Sequence, residues 1–106
     1  MVTFQDFKQL DIRIGRIVEV ADHPDADKLY VLKVDIGNAI IQLVAGIKKS
    51  YTADELQGKS IVVLTNLEPK ELRGIESQGM LLAAQGDDIV TVLTPDKEVS
   101  CGSVIR

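Results

Sequence analysis

The sequence holds no tryptophan, one cysteine and one histidine, with two tyrosines and two phenylalanines among its 106 residues. Each scarcity excludes something. Cys101 can close no internal disulfide, and with His23 alone it cannot complete a tetrahedral zinc set, so neither a metal nor another cofactor is expected. Such cysteine usage suits a reducing, cytoplasmic setting. A Ser–His–acid or Cys–His site would have to use His23, which lies in the turn Asp22-His23-Pro24-Asp25 with nothing like a nucleophile elbow beside it. Catalysis is therefore not expected. Asp22, Asp25 and Asp27 lack the spacing of a calcium loop and read as a solvated turn. No glycine-rich loop of the phosphate-cradling type occurs. No apolar run approaches the roughly 18 residues of a membrane span. With so few aromatics there is no ladder on which single-stranded bases could stack.

Positive charge is also short. Twelve Lys and Arg stand against 16 Asp and Glu, a net charge of −4 and a pI near 4.9. That balance excludes a protein that coats nucleic acid indiscriminately and a polybasic membrane binder. A composition of 45% hydrophobic and 26% charged residues is that of one globular domain over residues 1–106.

What is abundant is β-branched. Val and Ile are spread evenly along the chain and outnumber Leu, which favours strands. Thr3 caps a short helical turn that sets Phe4 and Phe7 on one face. From Asp11 the period becomes two, with Ile12, Ile14, Val18 and Val20 on one face. Gly15 and Arg16 interrupt it where a bulge or a bend between sheets is expected. A second strand carries Tyr30, Leu32, Val34 and Ile36 inward and ends at a Gly37-Asn38 hairpin turn. The run Ala39–Ala45 has almost no polar face and predicts a strand buried on both sides. Thr52-Ala53-Asp54-Glu55 is a capping box, and Gly58 stops the one-turn helix it opens. Ile61–Leu64, Gly79–Ala84 and Ile89–Leu93 read as further strands, with turns over Asn66–Gly74. Five to seven short strands with a small helix between the third and fourth suggest an all-β, closed or nearly closed barrel, and the order matches that of a five-stranded OB barrel with small additions at both ends.

Lys28, Lys33, Lys48, Lys49, Lys70, Arg73, Arg13 and Arg16 are the cations of the central region. Singly, each reads as a solubilising surface group. One stretch is distinctive. Asn66 to Ala84 sets Lys70, Arg73, Ser77, Gln78 and Met80 around Gly74 and Gly79, just before an apolar strand. Together with Leu10-Asp11-Ile12-Arg13-Ile14-Gly15-Arg16-Ile17, His23-Pro24-Asp25-Ala26-Asp27-Lys28-Leu29 and Val44-Ala45-Gly46-Ile47, it resembles the tRNA-binding domain family. Members occur at the C-terminus of many methionyl-tRNA synthetases, as free-standing dimeric tRNA-binding proteins and at the start of the bacterial phenylalanyl-tRNA synthetase β chain. The resemblance runs from about Phe7 to Arg106.

The resemblance implies an OB barrel that binds tRNA by shape, chiefly at the outer corner of the L, through phosphate and 2′-hydroxyl contacts. Ser77 and Met80 would lie on the RNA side, with Lys28, Lys33, Asn66, Lys70 and Arg73 around them. On that basis Ser77→Ala and Met80→Ala would weaken binding without lowering stability. Glu71 stands where members often carry a second cation. A chaperone-like branch of the family replaces much of the Ser-Gln-Gly-Met stretch, so its presence here points to the tRNA branch. Free-standing members are homodimers and the chain opens on Met1, so the expected partners are tRNA, a second copy and a catalytic chain of methionyl-tRNA synthetase. Phe4, Phe7, Val104 and Ile105 are candidates for the dimer interface; the alternative is that they fold back on their own barrel. The rival function is a protein-interaction or chaperone-like OB module without RNA. If the tRNA reading holds, carboxylates should lie away from the face carrying Lys28, Lys70, Arg73 and Ser77.

Overall fold

In the computed structural model, which describes residues 1–106, two capping boxes set the only helices. The Thr3 hydroxyl accepts from the Asp6 N–H while the Asp6 carboxylate accepts from the Thr3 N–H, opening α1 (Phe4–Lys8). The strands β1 (Ile12–Asp22), β2 (Tyr30–Asp35) and β3 (Ile40–Ala45) follow as antiparallel neighbours. Thr52 and Glu55 then cap α2 (Ala53–Leu56) in the same reciprocal way, and the Thr52 donor holds the Glu55 carboxyl below its usual range. Gly58 ends that turn at φ 82°. After β4 (Ser60–Leu64) come the hairpin β5 (Lys70–Leu72) and β6 (Ile75–Ser77), then β7 (Met80–Leu81), β8 (Ala83–Gln85) and β9 (Val90–Val92). The main sheet runs β3-β2-β1-β4-β7 and curls into a nearly closed barrel with α2 between strands three and four, the expected OB-like form. No helix is long and apolar enough to cross a membrane.

β1 organises the barrel because it changes partner along its length. Residues 12–16 pair with β4 and residues 16–22 with β2, so Arg16 is the crossing point. The bulge lies after this crossing, at Val18, between the pairs Ile17–Val34 and Glu19–Lys33. One extra residue flips the face of everything beyond it. Ile17 and Val20 therefore both pack into the barrel, with Leu32, Val34, Leu43, Leu56, Ile61 and Val63. Ile12 and Ile14 face the other way and join Val62 and Leu64 in a second core outside the barrel. Val18, read from the alternation as a core position, is exposed. Gly15 carries no bulge; it gives room. A Cβ there would stand 2.6 Å from Val34 Cγ1 and 3.2 Å from Val63 Cγ2.

The outer core exists because both chain ends cover it. Phe7, Leu82 and Ile105 pack against it. The C-terminal segment lies along the free edge of β1, with Ile14 N–H donating to Ser103 O at 2.9 Å and Ile105 N–H to Ile12 O at 2.8 Å. Coverage on both faces is why all of Ile61–Leu64 is buried.

Three expectations are corrected. The run Ala39–Ala45 is not buried on both sides: Leu43 and Ala45 face the core, whereas Ile40 is 62% exposed on the outer face. The stretch Asn66–Gly74 is not all turn, since Lys70–Leu72 pairs with Ile75–Ser77. The strand expected over Gly79–Ala84 breaks at Leu82, which donates to Val62 O and accepts from Leu93 N–H, so the chain leaves β4 for β9 there. Gly15→Ala is expected to destabilise the fold by about 1–3 kcal/mol through overpacking between two buried valines. Urea unfolding should show a lower midpoint at unchanged slope.

Candidate functional site

The barrel lacks a continuous ladder between β3 and β4, and the segment Glu76–Met80 closes it largely through side chains. Gln42, the one polar residue in the run Ile40–Ala45, is the hub. Its N–H donates to Gln78 Oε1 at 2.7 Å, its carbonyl accepts from Gln78 N–H at 2.7 Å, and its side-chain amide donates to Glu76 O at 2.8 Å. Two residues on, Val44 N–H donates to the Ser77 hydroxyl at 3.0 Å, and that hydroxyl donates to Gly79 O at 3.0 Å. Gly79 passes against β4 so closely that a Cβ would stand 2.7 Å from Leu64 O. Its role is to admit the backbone.

Beside this closure lies an open groove of about 440 Å³. Val44, Leu67, Leu72 and Met80 give it apolar walls, and Lys70, Glu68 and Ser77 are its polar members. Met80 is 47% exposed there. The β5–β6 hairpin forms one wall. Its two-residue tip places Arg73 at φ 52° and Gly74 at φ 90°, the left-handed pair that a tight hairpin turn demands. The hairpin is tied down from the 22–29 loop. His23 is 4% exposed; its Nδ1 accepts from Asp25 N–H at 3.0 Å, so Nε2 carries the proton and donates to Leu72 O at 3.0 Å. The Arg73 guanidinium donates to Asp25 O at 3.0 Å.

The residues expected to meet RNA therefore divide. Lys70, Ser77 and Met80 line one groove, and Arg73 is at the hairpin tip beside it. Ser77 is 5% exposed, with its hydroxyl already bonded as donor and acceptor, so it also serves as a strut of the closure. Lys33 is half-buried and donates to Gln42 Oε1 at 2.6 Å, on the strand pair behind the closure. Asn66 clamps the N-terminal segment: its amide donates to Gln9 O at 2.8 Å and its oxygen accepts from Asp11 N–H at 2.9 Å. In that junction Arg13, then the Thr65 hydroxyl, donates to the Asp11 carboxylate and holds it below the usual range. Lys28 lies apart, in a hollow with Lys48 and Lys49.

The expected charge segregation is absent. Glu68 shares the groove with Lys70, Asp27 shares the hollow with Lys28, and Glu71 and Glu76 are exposed on the hairpin. Antiparallel pairing puts Glu71 directly across from Glu76. Among the terminal residues, Phe7 and Ile105 fold back onto the chain's own outer core. Phe4, 70% exposed, and Val104, 59% exposed, edge a hollow of about 340 Å³. His23, Gln42 and Gln78 were missed as positioning residues. Gln42 had a signal, a lone polar residue in an apolar run, whereas the bond from His23 Nε2 reaches residue 72 and leaves no local pattern. No group of three or more His, Cys, Asp or Glu side chains is placed to hold a metal ion.

Known proteins resemble this chain in sequence and in fold. Residues 12–104 match the family described as "Putative tRNA binding domain". A methionine–tRNA ligase of Thermococcus onnurineus is 61% identical over 99% of the chain, which spans only 14% of that enzyme. Among solved structures, a MetRS-related protein of Pyrococcus horikoshii superposes with a TM-score of 0.93 at 31% identity, covering 100% of this chain and 98% of that one. The CsaA chaperone protein of Picrophilus torridus superposes with a TM-score of 0.92 at 37% identity over 100% of both chains.

Two substitutions separate closure from contact. Ser77→Ala leaves the Val44 N–H without its acceptor and should cost about 1–3 kcal/mol of stability, contrary to the expectation drawn from the resemblance alone. Met80→Ala, on an exposed side chain, should stay within about 0.5 kcal/mol of the parent. Urea unfolding of both variants checks the contrast.

Proposed function

The chain belongs to the tRNA-binding domain family, and from that membership and the groove beneath the β5–β6 hairpin we propose that it binds tRNA without catalysing a reaction, delivering it to a synthetase. The observation that carries the reading is the pairing of an exposed Met80 with Lys70 in a groove whose remaining walls are largely apolar. A methionine thioether and leucine side chains can lie against a base edge or ribose where no aromatic is available. Lys70 supplies a phosphate contact without requiring a basic face. The chain spans about 14% of the length of the methionine–tRNA ligases it matches, so a catalytic chain of that class is the proposed partner. Bulk attraction is missing at a net charge of −4, and recognition rests on shape with a few local cations. The proposed role is to raise the concentration of tRNA near the catalytic chain.

Two barrels held together would turn a weak site into a useful one. Phe4 and Val104, exposed at the terminal hollow, are the proposed centre of a homodimer contact, with Phe7 and Ile105 beneath them. A second reading, a chaperone-like module without RNA, is favoured by the likeness to the CsaA chaperone protein and by the carboxylates on the hairpin.

Titration of tRNA into the protein at low salt should show binding that falls with salt by about 0.7–0.9 in log–log slope per neutralised phosphate. Lys70→Ala should lower that slope by about one such step, and Met80→Ala should weaken binding at unchanged slope. Absence of tRNA binding at low salt would overturn the proposal in favour of the chaperone-like reading. For the dimer, Phe4→Glu should shift a dimeric species to monomer in sedimentation while leaving thermal stability close to that of the parent, since the ring is exposed; a parent that sediments as monomer refutes the contact.

A further inference from the structure

Lys28 and Lys49 come from different loops, yet they surround one hollow of about 300 Å³ with Lys48, Gly46 and Asp27. The loops meet at Gly46, where a Cβ would make ordinary contact at 3.4 Å from Leu29 Cδ2 and 4.0 Å from the Lys28 carbonyl oxygen. Lys48 is fixed in advance. Its ammonium bonds Asp22 at 2.9 Å and stands 5.2 Å from the centroid of the Tyr30 ring, so little side-chain entropy remains to be lost when an anion arrives. A turn follows Ile47, whose carbonyl accepts from Ser50 and Tyr51, and the N–H groups of Gly46, Lys48 and Lys49 donate to no other backbone group. Three ammonium groups, one of them shared with Asp22 and another beside Asp27, match a phosphate with its several charged oxygens better than a carboxylate or a base.

We propose that Lys28, Lys48 and Lys49 form a seat for one backbone phosphate of an RNA, separate from the Lys70–Met80 groove. The proposal rests on the RNA reading of that groove and deepens it. The two sites are joined by the 22–29 loop, which carries Lys28 at one end and, through His23 and Asp25, grips the hairpin wall of the groove. A strand seated at both places is read at the groove and only held at the lysines, so the seat contributes affinity without sequence preference.

The test uses Lys28→Ala/Lys49→Ala; both side chains are exposed, and Lys48 is left in place because Asp22 depends on it. If the parent binds tRNA, the double variant should lower the log–log salt slope by about 0.7–0.9 and weaken all tRNAs alike. An unchanged slope overturns the seat and leaves the groove reading intact. If the parent binds no tRNA, the groove reading fails and inorganic phosphate decides the seat by amide NMR. Saturable shifts at Gly46 and Lys49 in the parent but not at Gly46 in the variant uphold it; unmoved amides overturn it.

Discussion

Closure of the barrel by Ser77, Gln78 and Gly79 against β3 is the constraint on which the rest depends. An open curled sheet would leave the N–H and C=O groups of Gln42 and the N–H of Val44 without partners, each a cost of about 1–3 kcal/mol if buried. The chain meets that need with one hydroxyl, one carboxamide and the backbone N–H of Gln78 instead of a strand, which leaves the following residues free to turn away. Met80 then emerges at the rim and not in the core. The groove is thus a consequence of how the barrel is closed, and the residues that resemble a binding motif are in part residues that make the closure possible.

The second organising feature is the bulge at Val18. Without it, strict alternation would set Val20 on the outer face with Ile12 and Ile14, opposite Ile17. With it, Val20 joins Ile17 inside the barrel while Ile12 and Ile14 keep the outer core. The outer core needs the chain ends as cover, and Asn66 and the Asp11–Arg13–Thr65 cluster lock the N-terminal segment in place. The same folding-back leaves Phe4 and Val104 exposed next to side chains that are not, which concentrates apolar surface at one edge of the molecule.

Charge on this surface is interleaved. Lys70 and Glu68 share a groove, Lys28 and Asp27 share a hollow, and Lys48 is pinned by Asp22. Neighbouring carboxylates remove the long-range attraction that a basic face would exert, and Asp22 also orders the Lys48 side chain it contacts. Such a surface selects by geometry: only a partner whose phosphates fall where the cations stand gains from them, and screening by salt acts on few contacts.

By itself the sequence determined the β-rich barrel, because the period-two runs, the hairpin glycine at residue 37 and the two capping boxes are local features whose physics is complete within a few residues. The family motifs were legible for the same reason. Three things were decided only by the tertiary structure. The alternation at Ile12, Ile14, Val18 and Val20 hid the change of face, because a bulge is defined by the partner strand and not by the strand that contains it. The spread of Lys28, Lys33, Asn66 and Lys70 over separate places was set by pairings that join residues tens of positions apart. Ser77, read as a contact, became a strut once Val44 and Gly79 were brought to it. A hydroxyl has the same chemistry in either duty, and only the neighbours supplied by the fold determine which of its bonds are already taken.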